Sequence, residues 1–163
     1  MKLSVRNSFP CSVDEFWAMY WDPQFDEVLT REAKVTRTLL SEQKDGDITT
    51  RRVKLTPDAD LPAAVAAMIG SKKLVYEQET RWDAKNRVLH WKVIPTILPG
   101  KLDAAGTMTV RATANGCEQV VDGNIAVKVM LIGGKIEQTV VDEVTKTYDR
   151  AAVACRRWLT EKK

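Results

Sequence analysis

The sequence predicts an α+β domain: a seven-stranded curved antiparallel sheet wrapped around one long C-terminal helix, with three short helices in the connections. Three features say so. Near the end of the chain Ile136, Val140, Val144, Tyr148, Ala151, Cys155 and Trp158 recur every three or four residues, which puts them on one stripe of a helix. Ahead of that helix, runs of alternating apolar and polar residues are separated by the turn signals Asp45-Gly46-Asp47, Asp83-Ala84-Lys85-Asn86 and Asn115-Gly116. The stripe needs an apolar surface of matching length, and the alternating face of the sheet is the one the chain offers.

The elements follow in order. Leu3, Val5, Asn7 and Phe9 share one face of a first strand. Ser12 and Glu15 then form a capping box: the serine hydroxyl accepts from an amide three residues on while the glutamate reaches back. The helix so begun carries Val13, Phe16, Trp17 and Tyr20 on one side. Asp22-Pro23 caps a second short helix bearing Phe25, Val28 and Leu29, because proline at the first helical position forfeits only an amide that would have no partner anyway. Strands are expected over 34–43 and 48–56, a short helix over 61–70, and strands over 72–82, 88–94, 102–113 and 118–132. The last helix, about 135–161, would be roughly 40 Å long.

At 163 residues there is room for one domain and for a sizeable core or a wrapped cavity. Composition is that of a folded globular chain, 44% hydrophobic and 29% charged, with a net charge of +3. No long basic block or RNA-reading motif accompanies that charge, so nucleic acid is not an expected partner. The basic pairs Lys72-Lys73, Arg156-Arg157 and Lys162-Lys163 could favour an anionic surface. Cys11, Cys117 and Cys155 are widely spaced and His90 is the single histidine, so neither a metal site nor any other cofactor is expected. The N-terminal stretch alternates like a strand and lacks a signal-peptide core, and no run reaches the roughly 20 apolar residues of a membrane span; a cytoplasmic location is the expectation.

The order strand, two helices, antiparallel strands, long helix resembles the helix-grip fold of START-like (SRPBCC, Bet v 1-type) proteins. LPAAVAAMIGSKKLVYEQETRWD and VDGNIAVKVMLIGGKIEQTV are similar to an uncharacterised bacterial START-like family of unknown function. The first segment is also partly similar to PRELI-type phospholipid carriers, in which a leucine-proline helix ending in isoleucine-glycine precedes a strand. The resemblance implies a hydrophobic cavity between sheet and long helix that carries lipids or other poorly soluble molecules. It implies no catalytic residue.

Gly133-Gly134-Lys135 is not a phosphate loop: the first glycine of GxxxxGK[ST] is replaced by Val129, and Ile136 follows the lysine. The pair is read as a hinge from strand to helix. Placing the apolar side of each strand inward leaves Asn7, Arg37, Arg51, Tyr76 and Gln78 as inward polar groups that need a ligand or a neighbour to bond. Arg51, in step with Val53 and Leu55, is preferred to Arg37 as the receiver of a carboxylate or phosphate head, unless the strand register is off by one and it faces solvent. Tyr20, Trp91, Met108, Val110, Val127, Val129 and Tyr148 are candidates for the apolar lining, or simply core.

Two apolar segments beside lysines, one with Val65, Met68 and Ile69 and one with Ile97 and Leu98, are candidates for a cavity mouth that touches an anionic membrane transiently, or else for lids on the core. His90 falls on the opposite, convex side without a triad or metal partner. The leading expectation is a carrier or sensor of a lipid or other hydrophobic small molecule. A chain of roughly 14 carbons would supply ~11 kcal/mol gross on burial, enough without catalysis. The alternatives are a small cyclase- or hydrolase-like enzyme using the same cavity, and a protein-interaction module whose groove is filled.

Overall fold

The computed structural model describes residues 1–162; the Lys163 half of the last basic pair lies outside them. The elements are β1 (Lys2–Phe9), α1 (Val13–Tyr20), α2 (Pro23–Ala33), β2 (Val35–Asp45), β3 (Ile48–Pro57), α3 (Ala63–Ile69), β4 (Tyr76–Asp83), β5 (Val88–Ile94), β6 (Leu102–Thr113), β7 (Gly116–Val127) and α4 (Gly133–Glu161). All seven strands form one antiparallel sheet in the order β1-β7-β6-β5-β4-β3-β2, a meander from β2 to β7 with β1 added beside β7. Helix α4 lies against the β1/β7 end and against α2, and the core fills the space between.

Local chemistry sets the boundaries. The capping box forms as expected: Glu15 N–H donates to Ser12 Oγ at 3.1 Å and Ser12 N–H to Glu15 Oε2 at 3.2 Å. Asp22 caps α2 through Gln24 N–H at 2.9 Å. Two strands are shorter than the sequence pattern suggests. β4 starts at Tyr76 because Ser71 Oγ bonds the backbone of Lys73 in a local turn, holding 71–75 away from the ladder. β7 stops at Val127, after which Lys128 N–H bonds Lys101 C=O and the chain leaves the sheet.

The glycine hinge also differs from expectation in detail. Gly133 and Gly134 are the first residues of α4, and the left-handed residue of the turn is Leu131 (φ 69°). Gly133 is required for approach: a Cβ there would stand 2.4 Å from Val127 O, whereas one on Gly134 would meet nothing within 4 Å. Glu137 fastens the same junction from the second turn, accepting Val127 N–H at 2.8 Å, and that bond holds its carboxyl below the ordinary value.

The sheet rows run straight across the strands. Arg37, Leu55 and Tyr76 are in register on β2, β3 and β4, and Trp91, Gly106, Gly123 and Leu3 on β5, β6, β7 and β1. The two glycines make space for an indole: a Cβ on Gly106 or Gly123 would fall 2.5 or 2.3 Å from Trp91 Cζ2. Trp91 therefore lies against the sheet floor.

Candidate functional site

The concave face is packed at one end and hollow at the other. At the packed end α1 drives Trp17 onto Trp82 with ring centroids 4.3 Å apart, and Trp21 onto Trp82 at 5.6 Å, with Phe9 alongside Phe16; Phe16 and Tyr20 belong to this cluster and also form the near wall of the cavity. At the other end a cavity of about 160 Å³ remains between the sheet and α2 and α4. Its walls are mainly aliphatic and aromatic: Leu29 and Phe25 from α2, Leu55, Val93 and Ile125 from strands, Val140, Val144 and Ala151 from α4.

Its polar groups come from separate elements, and three tyrosines among them gather around one arginine. Arg37 (β2), Tyr76 (β4), Tyr20 (α1) and Tyr148 (α4) all line the cavity, as do Gln78, Gln119 and Thr147. Arg37 Nη1 reaches Asp26 Oδ1 at 3.1 Å on the solvent side, and among the described residues its buried Nε has no hydrogen-bond partner. Burial opposes the guanidinium charge, but Tyr20, which hydrogen-bonds it, the Asp26 carboxylate and Tyr148 together outweigh burial and the pKa is raised, so the cation is retained. Burial raises the Tyr76 hydroxyl to about 12, with Arg37 pulling the other way, and raises Tyr148 further, helped by Tyr20 and Tyr76. At neutral pH the Tyr76 and Tyr148 phenols keep their protons, so they are donors as well as acceptors beside a fixed positive charge.

Of the residues singled out from sequence, Tyr20, Arg37, Tyr76, Gln78, Trp91, Met108 and Tyr148 line this cavity, and so does Ile97. The others lie elsewhere. Asn7 is buried but spends its amide on its cross-strand neighbour, donating to Gln119 Oε1 at 3.4 Å; Gln119, which the sequence reading did not name, is the one that reaches the cavity. Arg51 does sit in step with Val53 and Leu55, but its guanidinium is paired with Glu42 and stacks 4.7 Å from the Trp21 ring at the packed end. Val110 lies partly buried against the core outside the cavity; Val127 is buried and Val129 partly buried at the seam where α4 begins. Val65 is 1% exposed, turned inward by α3 and unavailable to a membrane. Met68 is exposed, while Ile69 and Leu98 pack partly on the core. His90 is exposed on the convex side.

Arg37, and not Arg51, is the arginine that lines the cavity. Its signal in the sequence was its register with Leu55 and Tyr76, which becomes visible only once the pairing of three strands is known.

The seven-stranded sheet closed over a long C-terminal helix defines a helix-grip protein, and solved structures agree. The Thermus thermophilus protein TTHA0849 superposes with a TM-score of 0.66 at 13% identity, over 95% of this chain and 97% of that one. Protein Ms6760 of Mycobacterium smegmatis gives 0.60 at 14% identity, covering 99% and 92%. The Zhui aromatase/cyclase from Streptomyces sp. R1128 gives 0.57 at 13%, covering 95% and 89%. At these identities the likeness is one of fold. The chain belongs to the family described as "Protein of unknown function (DUF2505)", whose model matches residues 4–159. No curated protein matches it. Among the described residues no helix is long and apolar enough to cross a membrane, and no group of side chains is arranged to hold a metal ion.

Proposed function

We propose that this protein binds a compact hydrophobic small molecule between the sheet and α4, as a carrier or sensor. The observation that carries the reading is the unfilled, mostly apolar cavity of about 160 Å³ at one end of an otherwise packed concave face. A space of about 150 Å³ lined by aliphatic side chains is enough to take up a benzene-sized molecule. The volume therefore favours a ligand of one ring or a short branched chain over a diacyl phospholipid, and the partial likeness to phospholipid carriers weighs less than the sequence suggests.

The lining also favours binding over proton transfer. Among the described residues it contains no aspartate, glutamate, lysine or histidine. Burial lifts its thiol, Cys155, to about 12, so that it stays protonated at neutral pH. Native mass spectrometry of freshly purified protein, followed by organic extraction, tests the proposal. A bound small molecule that is lost on denaturation is expected. A bare chain mass, together with no uptake of toluene by NMR, would sink it.

One observation keeps a second reading in play: Arg37 among three phenols could stabilise an enolate oxygen, and a structural neighbour is an aromatase/cyclase. Cyclisation of a short poly-β-keto thioester, abolished in Arg37→Met, would favour that reading. Delivery to an anionic membrane would rest on exposed Met68 and Lys72, since Lys73 is engaged by Asp60 at 3.4 Å and by the Asp58 carbonyl. Absence of salt-sensitive co-sedimentation with phosphatidylglycerol vesicles would remove it.

A further inference from the structure

The geometry points to a ligand with a carboxylate at one end: we propose that the cavity takes a small aromatic or branched aliphatic monocarboxylic acid, its acid group on Arg37 and its body among Leu29, Val93, Ile125 and Val144. This rests on the small-molecule reading above and specifies the headgroup.

Three placements support it. Arg37 is the charged residue of the lining, and it stands at the β2 edge of the cavity, so charge is confined to one end of an apolar space. Asp26 pairs with Nη1 from the solvent side and Tyr20 hydrogen-bonds the guanidinium as well, while Nε is buried without a partner among the described residues. A guanidinium whose remaining edge faces a cavity matches the two oxygens of a carboxylate, and a buried donor left unbonded is costly until such an acceptor arrives. Tyr20, Tyr76 and Tyr148 line the same cavity, and burial keeps the protons on Tyr76 and Tyr148 at neutral pH, so these two add donors to an incoming anion. The opposite chemistry is unfavourable here: a cationic head would face Arg37 with no carboxylate in the lining to receive it. Size sets the other limit, since a cavity of this volume holds about one ring together with its acid group.

Benzoate, its neutral isostere benzamide, and toluene separate these requirements when titrated into the full-length protein and followed by the Trp91 indole resonance in NMR. Benzoate is expected to bind about tenfold more tightly than benzamide at pH 7. Arg37→Met should bring the ratio of the two affinities to within about twofold of one. Asp26→Asn, a change at an exposed site, should raise the ratio by about twofold to fivefold by freeing the guanidinium from its present counter-charge. Uptake of toluene and benzamide with no preference for benzoate, or a preference that survives in Arg37→Met, would overturn the carboxylate assignment and leave small-molecule binding standing. Exclusion of all three probes would overturn both. The Asp26→Asn arm decides the matter if Arg37→Met does not fold: a ratio that stays unchanged or falls counts against the assignment.

Discussion

The two ends of the concave face use the same strands and meet different fates. At the α1 end, helix and strand aromatics interlock, and even an arginine in the correct register, Arg51, is absorbed by Trp21 and Glu42. At the α2/α4 end the side chains are smaller or branched, and Ala104, Ala151 and Ala152 leave the volume that Arg37 and the tyrosines border. Strand alternation decides which residues face inward. Whether they meet protein or space depends on the side chains brought by helices from distant parts of the chain.

The contrast can be broken most severely at the packed end. Trp17 is 5% exposed within the aromatic cluster and does not line the cavity, and Trp17→Ala should cost about 3–5 kcal/mol in urea unfolding. A loss below about 1 kcal/mol would mean that this end is not tightly packed after all. Next comes the seam that fixes α4 over the cavity. Gly133→Ala must push against the Val127 carbonyl and should cost about 1–3 kcal/mol, whereas Gly134→Ala, with nothing near its Cβ, should be neutral or stabilise by up to ~1 kcal/mol. Equal effects from the two would show that the contact at Gly133 is relieved by a small shift.

The hollow end should tolerate growth. Ala151→Met, filling from α4, is expected to change stability by less than about 1 kcal/mol while reducing toluene uptake about tenfold. A strongly destabilised variant that still takes up toluene would place the void elsewhere. The smallest effect belongs to pH. Burial holds the folded Tyr76 hydroxyl at about 12 against an ordinary 10.0, so its contribution is present below pH 10 and is lost as pH rises from there towards 12. Tyr76→Phe should flatten that part of the stability curve and leave it unaltered near neutrality; a parent curve without such a fall would show the hydroxyl to be in contact with water.

Much of the scaffold could be read directly from the residues. The capping box at Ser12, the turn at Asp45-Gly46-Asp47 and the stripe from Ile136 to Cys155 are local patterns, and each appears where the pattern puts it. The ends of β4 and β7 were misjudged because Ser71 and Lys128 find backbone partners that alternation does not foretell. The sequence shows which side chains turn to the concave face and less well which of them meet open space. Tyr20, Tyr76, Gln78, Trp91, Met108 and Tyr148 fall on the cavity because periodicity selects a face. Arg37 was ranked below Arg51 because both share the inward face, and only the aromatic plug separates them. Asn7 is inward as expected, and the neighbour that satisfies it, Gln119, is fixed by the β1–β7 pairing, which the sequence alone does not show.

The Trp91 indole lies where two neighbouring strands lack side chains, at Gly106 and Gly123. The depth of the chamber is thus governed from below. A methyl group added to that bare patch would press on the ring and on a carbonyl of the adjoining strand, Asp122 O beside Gly106 and Ala105 O beside Gly123, so the two bare positions together set how deep the ring can sit.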